Sequence, residues 1–188
     1  MTTRLKSLTL LSSLFILILC WSLNLKTTLP SVTSKDTLEK LSDVRITHLK
    51  VQFFDEEGHL THHLSSPWMA HIPYHNTHRL TSPQFIITQP DKPQWIIRSD
   101  NAIAKQNGKE IILSHHVTLK HSPFQAYSEG IIETEQLHYY PKKNYAMTSV
   151  PITWKQQDNA VLSHGMKAYF DDNRIDLFNA EATYEPTA

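Results

Sequence analysis

The stretch Ile111-Ile112-Leu113-Ser114-His115-His116-Val117-Thr118-Leu119-Lys120 decides how this chain is read. Ile111, Leu113, His115, Val117 and Leu119 alternate with Ser114, His116, Thr118 and Lys120. This is the two-residue period of a strand with one buried face. The pattern recurs on both sides. Leu49, Val51 and Phe53 alternate with Lys50 and Gln52, and Leu60 and Leu64 follow the turn Asp55-Glu56-Glu57-Gly58. Val150, Ile152 and Trp154 alternate with Thr153 and Lys155. Turn signals separate the runs at Pro90-Asp91-Lys92-Pro93, Asn107-Gly108, Gln157-Asp158-Asn159 and Asp171-Asp172-Asn173. No segment after residue 25 keeps a helical period over the length of a helix. Many short strands with regular turns predict an all-β antiparallel sandwich, jelly roll or barrel.

The segments also resemble one another. Leu80-Thr81-Ser82-Pro83-Gln84-Phe85 echoes Met147-Thr148-Ser149-Val150-Pro151-Ile152. Trp95 to Ala102 leads through a turn to Ile111-Ile112-Leu113-Ser114, and Ile131 to Leu137 leads likewise to Ala146-Met147-Thr148. His164-Gly165-Met166-Lys167-Ala168 leads to Ile175-Asp176-Leu177-Phe178. An entering strand, a turn and a returning strand thus repeat about every 30–35 residues. Such units bury their faces on their neighbours, so the ends of the stack are edge strands. Gly165 sits inside an apolar strand pattern, where glycine marks a bulge, a bend or a close backbone approach.

The N-terminus reads differently. Arg4 and Lys6 precede a charge-free apolar segment from Leu8 to Leu25. As a helix rising 1.5 Å per residue it would be about 27 Å long, near the thickness of a bilayer core. The basic residues in front of it predict a cytoplasmic N-terminus, and Trp21 suits an interface. Trp21-Ser22-Leu23-Asn24-Leu25-Lys26 lacks the small-residue cleavage site of a signal peptide. Leu19 is bulky where a lipoprotein site at Cys20 needs a small residue. The expected organisation is a cytoplasmic tip and transmembrane anchor over residues 1–25, a polar tether over 26–43, and a β domain over 44–188.

Composition narrows the function. The chain has 188 residues, with Lys plus Arg equal to Asp plus Glu at 18 each. Nucleic-acid binders carry a basic excess, so that class is disfavoured. Four glycines, none paired closely, leave no GxGxxG, Walker A or GxSxG loop. A lone cysteine gives neither an internal disulfide nor a thiolate cluster. The 12 histidines include His71, His75 and His78 at ligand-like spacing and the pairs His62-His63 and His115-His116. Pro73 breaks any helix aligning the first three, and adjacent residues on a strand point to opposite faces. No Ser, His and Asp fall into a local triad arrangement. The expectation is a non-enzyme with no metal and no cofactor.

An anchor, a tether and stacked hairpins together resemble the LptC family of lipopolysaccharide export. The matching stretches are Gly58-His59-Leu60, Leu80-Thr81-Ser82-Pro83, Trp95 to Ala102, Leu113 to Leu119 and the hairpin around Gly165. The chain departs from the pattern at His115-His116, where relatives often have a glycine before the valine. It departs again before Gly165, where it carries Trp154 and Lys155 and no glycine. The resemblance implies a periplasmic β-jelly roll of stacked antiparallel hairpins behind one N-terminal transmembrane helix, single-pass in the inner membrane of a Gram-negative cell. It implies lipopolysaccharide transport in outer membrane biogenesis. The acyl chains would lie in an apolar groove, and the lipid would pass from an inner-membrane ABC transporter to a periplasmic jelly-roll bridge protein. The expected groove residues are Leu49, Val51, Phe53, Leu80, Trp95, Ile97, Leu113, Val117, Leu119, Ile152, Trp154 and Leu177. The bridge protein would dock on the edge of the last strand, from about Ile175 to Tyr184, with Ala180, Ala182 and Tyr184 on one face. Gly165 would be structural. The residues alone leave a second class open: a membrane-anchored periplasmic scaffold or binding module with a closed core and no lipid transfer.

Overall fold

The computed structural model describes residues 42–123, 128–157 and 159–183. The anchor expected over Leu8 to Leu25 and the tether up to residue 41 lie outside the described residues. Among the described residues, no helix is long and apolar enough to cross a membrane.

Among the described residues, twelve strands, all paired antiparallel, build the domain. In chain order they are β1 (Val44–Phe54), β2 (Leu60–Ile72), β3 (Thr77–Thr81), β4 (Gln84–Ile87), β5 (Trp95–Arg98), β6 (Asn101–Lys105), β7 (Glu110–His121), β8 (Gly130–Tyr140), β9 (Tyr145–Thr148), β10 (Ile152–Gln156), β11 (Asn159–Tyr169) and β12 (Arg174–Thr183). The long strands change partners halfway along. Leu64 of β2 pairs with Phe85 of β4, but Met69 of the same strand pairs with Leu80 of β3. In β7, Leu119 pairs with Ile97 of β5 while Leu113 pairs with Ala102 of β6. In β8, Ile132 faces Trp154 of β10 and Tyr139 faces Ala146 of β9. The pairings therefore sort into two sheets. One runs through β4, β5 and β10, the other through β3, β6 and β9, and β1, β2, β7, β8, β11 and β12 belong to both. This is the β-jelly roll.

Each crossing turns a corner, and a corner breaks the ladder. Two devices recur at these corners. One is a left-handed residue: His48 (φ 55°), Ser82 (φ 46°), His115 (φ 64°), His116 (φ 48°) and Asn179 (φ 51°). The other is a hydroxyl that meets the carbonyls freed by the corner. Ser66 Oγ lies 2.8 Å from Trp68 O and 2.7 Å from Thr81 O. Ser99 Oγ donates to Asn101 O at 2.8 Å. Thr134 Oγ1 donates to Pro151 O at 2.9 Å. Ser163 Oγ lies 2.8 Å from Gly165 O and 2.7 Å from Phe178 O. Ser66, Ser99 and Ser163 are buried, where an unmet carbonyl would cost about 1–3 kcal/mol.

The interruption at His115-His116 has the same origin. The register of β7 on β8 shifts between Ser114 and Val117, and both histidines are exposed. The alternation thus places Ile111, Leu113, Val117 and Leu119 inside but not His115. Left-handed backbone is what a glycine would supply here. In its place His116 Nδ1 lies 2.7 Å from Asp100 Oδ2 and His115 Nδ1 lies 4.0 Å from Glu135 Oε2. The hydrogen bond to Asp100 raises the His116 pKa above its ordinary value.

Hairpin turns use asparagine for the same conformational reason. Asn76, Asn107, Asn144 and Asn173 all have φ between 46° and 56°. Asparagine tolerates that region better than most residues. Gly165 has a different role. A Cβ there would lie 2.6 Å from Thr148 O and 3.2 Å from Ser149 Cα, so neighbouring backbone occupies the space. Close approach, not a special φ, requires glycine. Gly165→Ala should destabilise the domain by about 1–3 kcal/mol, as overpacking does in a tight interior. Chemical denaturation checks this, and an unchanged midpoint would show that β9 and β11 can separate without loss.

Candidate functional site

Between the sheets lies one core. Leu80, Trp95, Ile97, Leu113, Val117, Leu119 and Ile152 are buried in it, and Leu49, Trp154 and Leu177 pack against it from partly buried positions. Of the remaining expected groove residues, Val51 is partly buried and Phe53 is 52% exposed. Most of the expected lining therefore meets the opposite sheet. An aromatic chain fills the middle: Phe85 against Tyr139 at 5.6 Å, Tyr139 against Phe170 at 5.8 Å, Phe170 against Trp95 at 5.4 Å, and Trp95 against His121 at 5.1 Å. Gly130 makes room for the last of these, since a Cβ there would overlap the His121 imidazole. Burial lowers the His121 pKa, as charge is disfavoured among these rings.

At one end the core gives way to a cavity of about 340 Å³. Phe53, Leu64 and Phe85 wall it from one sheet, and Ala104, Ile111 and Tyr139 from the other. His62, Asn107 and Lys142 stand among its polar lining residues. The alternation of β1, β2, β4, β7 and β8 sends these apolar side chains inward. Small-molecule sites span about 300–1,000 Å³ and are mostly apolar with few polar groups, so the cavity is of that kind. Recesses at Pro151, Leu162 and Asn179, at His116, Glu133 and Thr153, and at Arg79 and Lys105 are more polar.

A polar clasp spans the two sheets beside this mouth. Asp171 Oδ1 accepts from Gln89 Nε2 at 2.6 Å and from Asn144 Nδ2 at 2.9 Å. The Lys92 ammonium donates to the Asp171 carbonyl. His62 Nε2 lies 3.1 Å from Asn144 Oδ1. Burial lowers the His62 pKa, so the neutral ring donates from Nε2. Gln89, Lys92 and His62 belong to or flank β2, β4 and β5, whereas Asn144 and Asp171 belong to the turns leading into β9 and β12.

The remaining sequence candidates fall elsewhere. His71 and His78 pair across β2 and β3 with rings 4.9 Å apart, and His71 Nδ1 lies 2.7 Å from Asp43 Oδ1. His75 meets Tyr74 edge-on in a 3-10 turn, with ring centroids 4.7 Å apart. Among the described residues no three His, Cys, Asp or Glu side chains converge on one point. Ala180 and Ala182 lie on β12, which pairs with β11 alone among the described residues. Tyr184 lies outside the described residues. The corner hydroxyls and the clasp escaped the sequence reading. The corners left only a weak trace, a hydroxyl residue between two strand runs, and the clasp left none.

A family model described as lipopolysaccharide-assembly, LptC-related, matches residues 10–185. No curated protein matches the chain. Solved structures similar to it include LptH of Pseudomonas aeruginosa, described as the LptA-homologous periplasmic component of the lipopolysaccharide transport device. That structure superposes with a TM-score of 0.50 at 8% identity, covering 66% of this chain and 95% of its own. At that identity the likeness speaks for the fold alone.

Removing the carboxylate at the centre of the clasp should loosen the mouth without touching the core. In Asp171→Ala, amide exchange at Thr88 and Phe170 should quicken about three- to ten-fold, the equivalent of about one lost hydrogen bond. Exchange at Ile97 and Leu113 should stay as it was. Equal rates at all four amides in both proteins would mean that the clasp holds nothing.

Proposed function

The chain belongs to the LptC-related lipopolysaccharide-assembly family, and from that membership we propose that its jelly roll is a non-catalytic carrier in lipopolysaccharide transport. In this reading the acyl chains enter the apolar mouth at Phe53, Leu64 and Phe85. The lipid comes from an inner-membrane ABC transporter and leaves to a periplasmic jelly-roll bridge protein. The Leu8 to Leu25 segment would hold the chain in the inner membrane, with the β domain in the periplasm. The single observation that supports this best is the cavity of about 340 Å³ walled by apolar side chains of both sheets. Hydrocarbon placed there leaves water at about 25 cal/mol per Å² of apolar surface, with no catalytic group needed.

A second reading, a scaffold without lipid transfer, draws on the aromatic chain that fills the interior. Charged substitutions at Leu113 or Leu119 do not separate the two. Both side chains are fully buried, so an aspartate there would unfold the domain before it tested binding. The mouth is the place to look. A photoreactive benzoylphenylalanine at Phe53 in the full chain should give lipopolysaccharide adducts in living cells. The same group at Trp68, outside the mouth, should give background only. Background at both positions would favour the scaffold.

The partner edge is tested separately. β1 and β12 each have one neighbour among the described residues, so each offers a free edge for strand addition. We assign the bridge protein to β12. Proline at Ala182 removes an amide from that edge. Ala182→Pro should abolish capture of the bridge protein in a pull-down while the Phe53 adducts persist. Undiminished capture would move the docking edge away from β12.

A further inference from the structure

Among the residues that line the mouth cavity, Lys142 is the one lysine or arginine, and no aspartate or glutamate joins it. Lys142 is exposed and has no ion-pair or hydrogen-bond partner among the described residues. The turn that carries it does not call for a lysine. Pro73-Tyr74-His75-Asn76 and Pro141-Lys142-Lys143-Asn144 share one construction, in which proline opens a 3-10 turn and a left-handed asparagine closes it. Tyr74 stands in the first where Lys142 stands in the second. The second turn is also fixed in place. Asn144 ties it to β2 through His62 and to the turn before β12 through Asp171. The Asp171 carboxylate itself is committed to Gln89 and Asn144. The other recesses lack this combination. Two include glutamates, at Glu133 and at Glu181, and the one at Arg79 and Lys105 has Ile103 as its one aliphatic lining residue.

A hydrocarbon chain that fills an apolar cavity leaves its polar end at the opening, where water still solvates it. A lysine at that opening can lay its aliphatic stem along the rim and keep its ammonium in water. With no carboxylate lining the cavity, the opening favours an anionic end over a neutral one. We propose that Lys142 is the headgroup contact of the mouth, holding the anionic group of a lipid whose acyl chain occupies the cavity. This rests on the acyl-binding reading above and adds the charge that the ligand carries.

The test uses the full chain in phosphatidylcholine nanodiscs, with benzoylphenylalanine at Phe53. The probes are phosphorylated lipid A and the same lipid A stripped of its phosphates. The otherwise natural chain should give about two- to five-fold more adduct with the phosphorylated form, the size of one partly exposed charge contact. That preference should fade as salt rises. In Lys142→Gln it should fall to about one-fold, with the thermal midpoint unchanged and the stripped lipid captured as before. Lys142→Arg should keep it. Lys155→Gln removes the same charge from a lysine paired with Glu133 at 2.7 Å, away from the cavity lining, and should keep it too. A preference that survives Lys142→Gln, or that Lys155→Gln removes equally, overturns the assignment. Equal adducts from both lipids in the otherwise natural chain overturn it as well and leave acyl binding standing. Adducts with neither lipid remove the acyl-binding reading and this assignment together.

Discussion

Where a strand leaves one sheet for the other, its carbonyls lose their ladder partners, and at Ser66, Ser99 and Ser163 they do so in the buried interior. The fold depends on meeting that demand at every crossing. Ser66, Ser99, Thr134 and Ser163 meet it with hydroxyls, and Ser66 and Ser163 also reach a carbonyl of a neighbouring strand. The bond from Ser163 to Phe178 ties β11 to β12 at the same corner where Gly165 lets the Thr148 carbonyl approach. With the corners satisfied, the two sheets can face each other over a single core. Without them the long strands would have no reason to bend together.

The same geometry sets what the interior can do. Apolar faces of two sheets left open to water would cost about 25 cal/mol per Å² of exposed hydrocarbon. The protein limits that exposure with its own rings, from Phe85 through Tyr139 and Phe170 to Trp95. The clasp around Asp171 holds the turns across the opening. Among the described residues, the mouth beside Phe53 remains apolar and reachable. Its own side chains fill the interior between the sheets.

Much of this was legible in the residues. Alternation through Ile111, Leu113, Val117 and Leu119 fixed strands and their inner face, because the side-chain period of a strand is two whatever surrounds it. Asn107-Gly108 and Asp171-Asp172-Asn173 marked turns, because left-handed backbone favours few residue types. Scarce glycine and a lone cysteine excluded phosphate loops and thiolate clusters from the composition alone. Gly165 was readable as a special backbone position, although only its neighbours showed that Thr148 is what crowds it.

Tertiary structure decided the rest. Alternation tells which side chains point inward but not what they meet: Leu113, Leu119 and Ile152 read as groove lining, and the folded chain buries them in the core cluster. His115 kept the period in sequence and turned outward in space, because the corner between Ser114 and Val117 interrupts the ladder. The clasp joins Gln89 to Asp171 and His62 to Asn144, each pair 82 residues apart. No local pattern records contacts at that separation. Local sequence fixes the backbone period and the turns because both are short-range properties of the chain. Which inner surfaces touch and which stay open depend on how two sheets close on each other, and that exists only once the whole chain has folded.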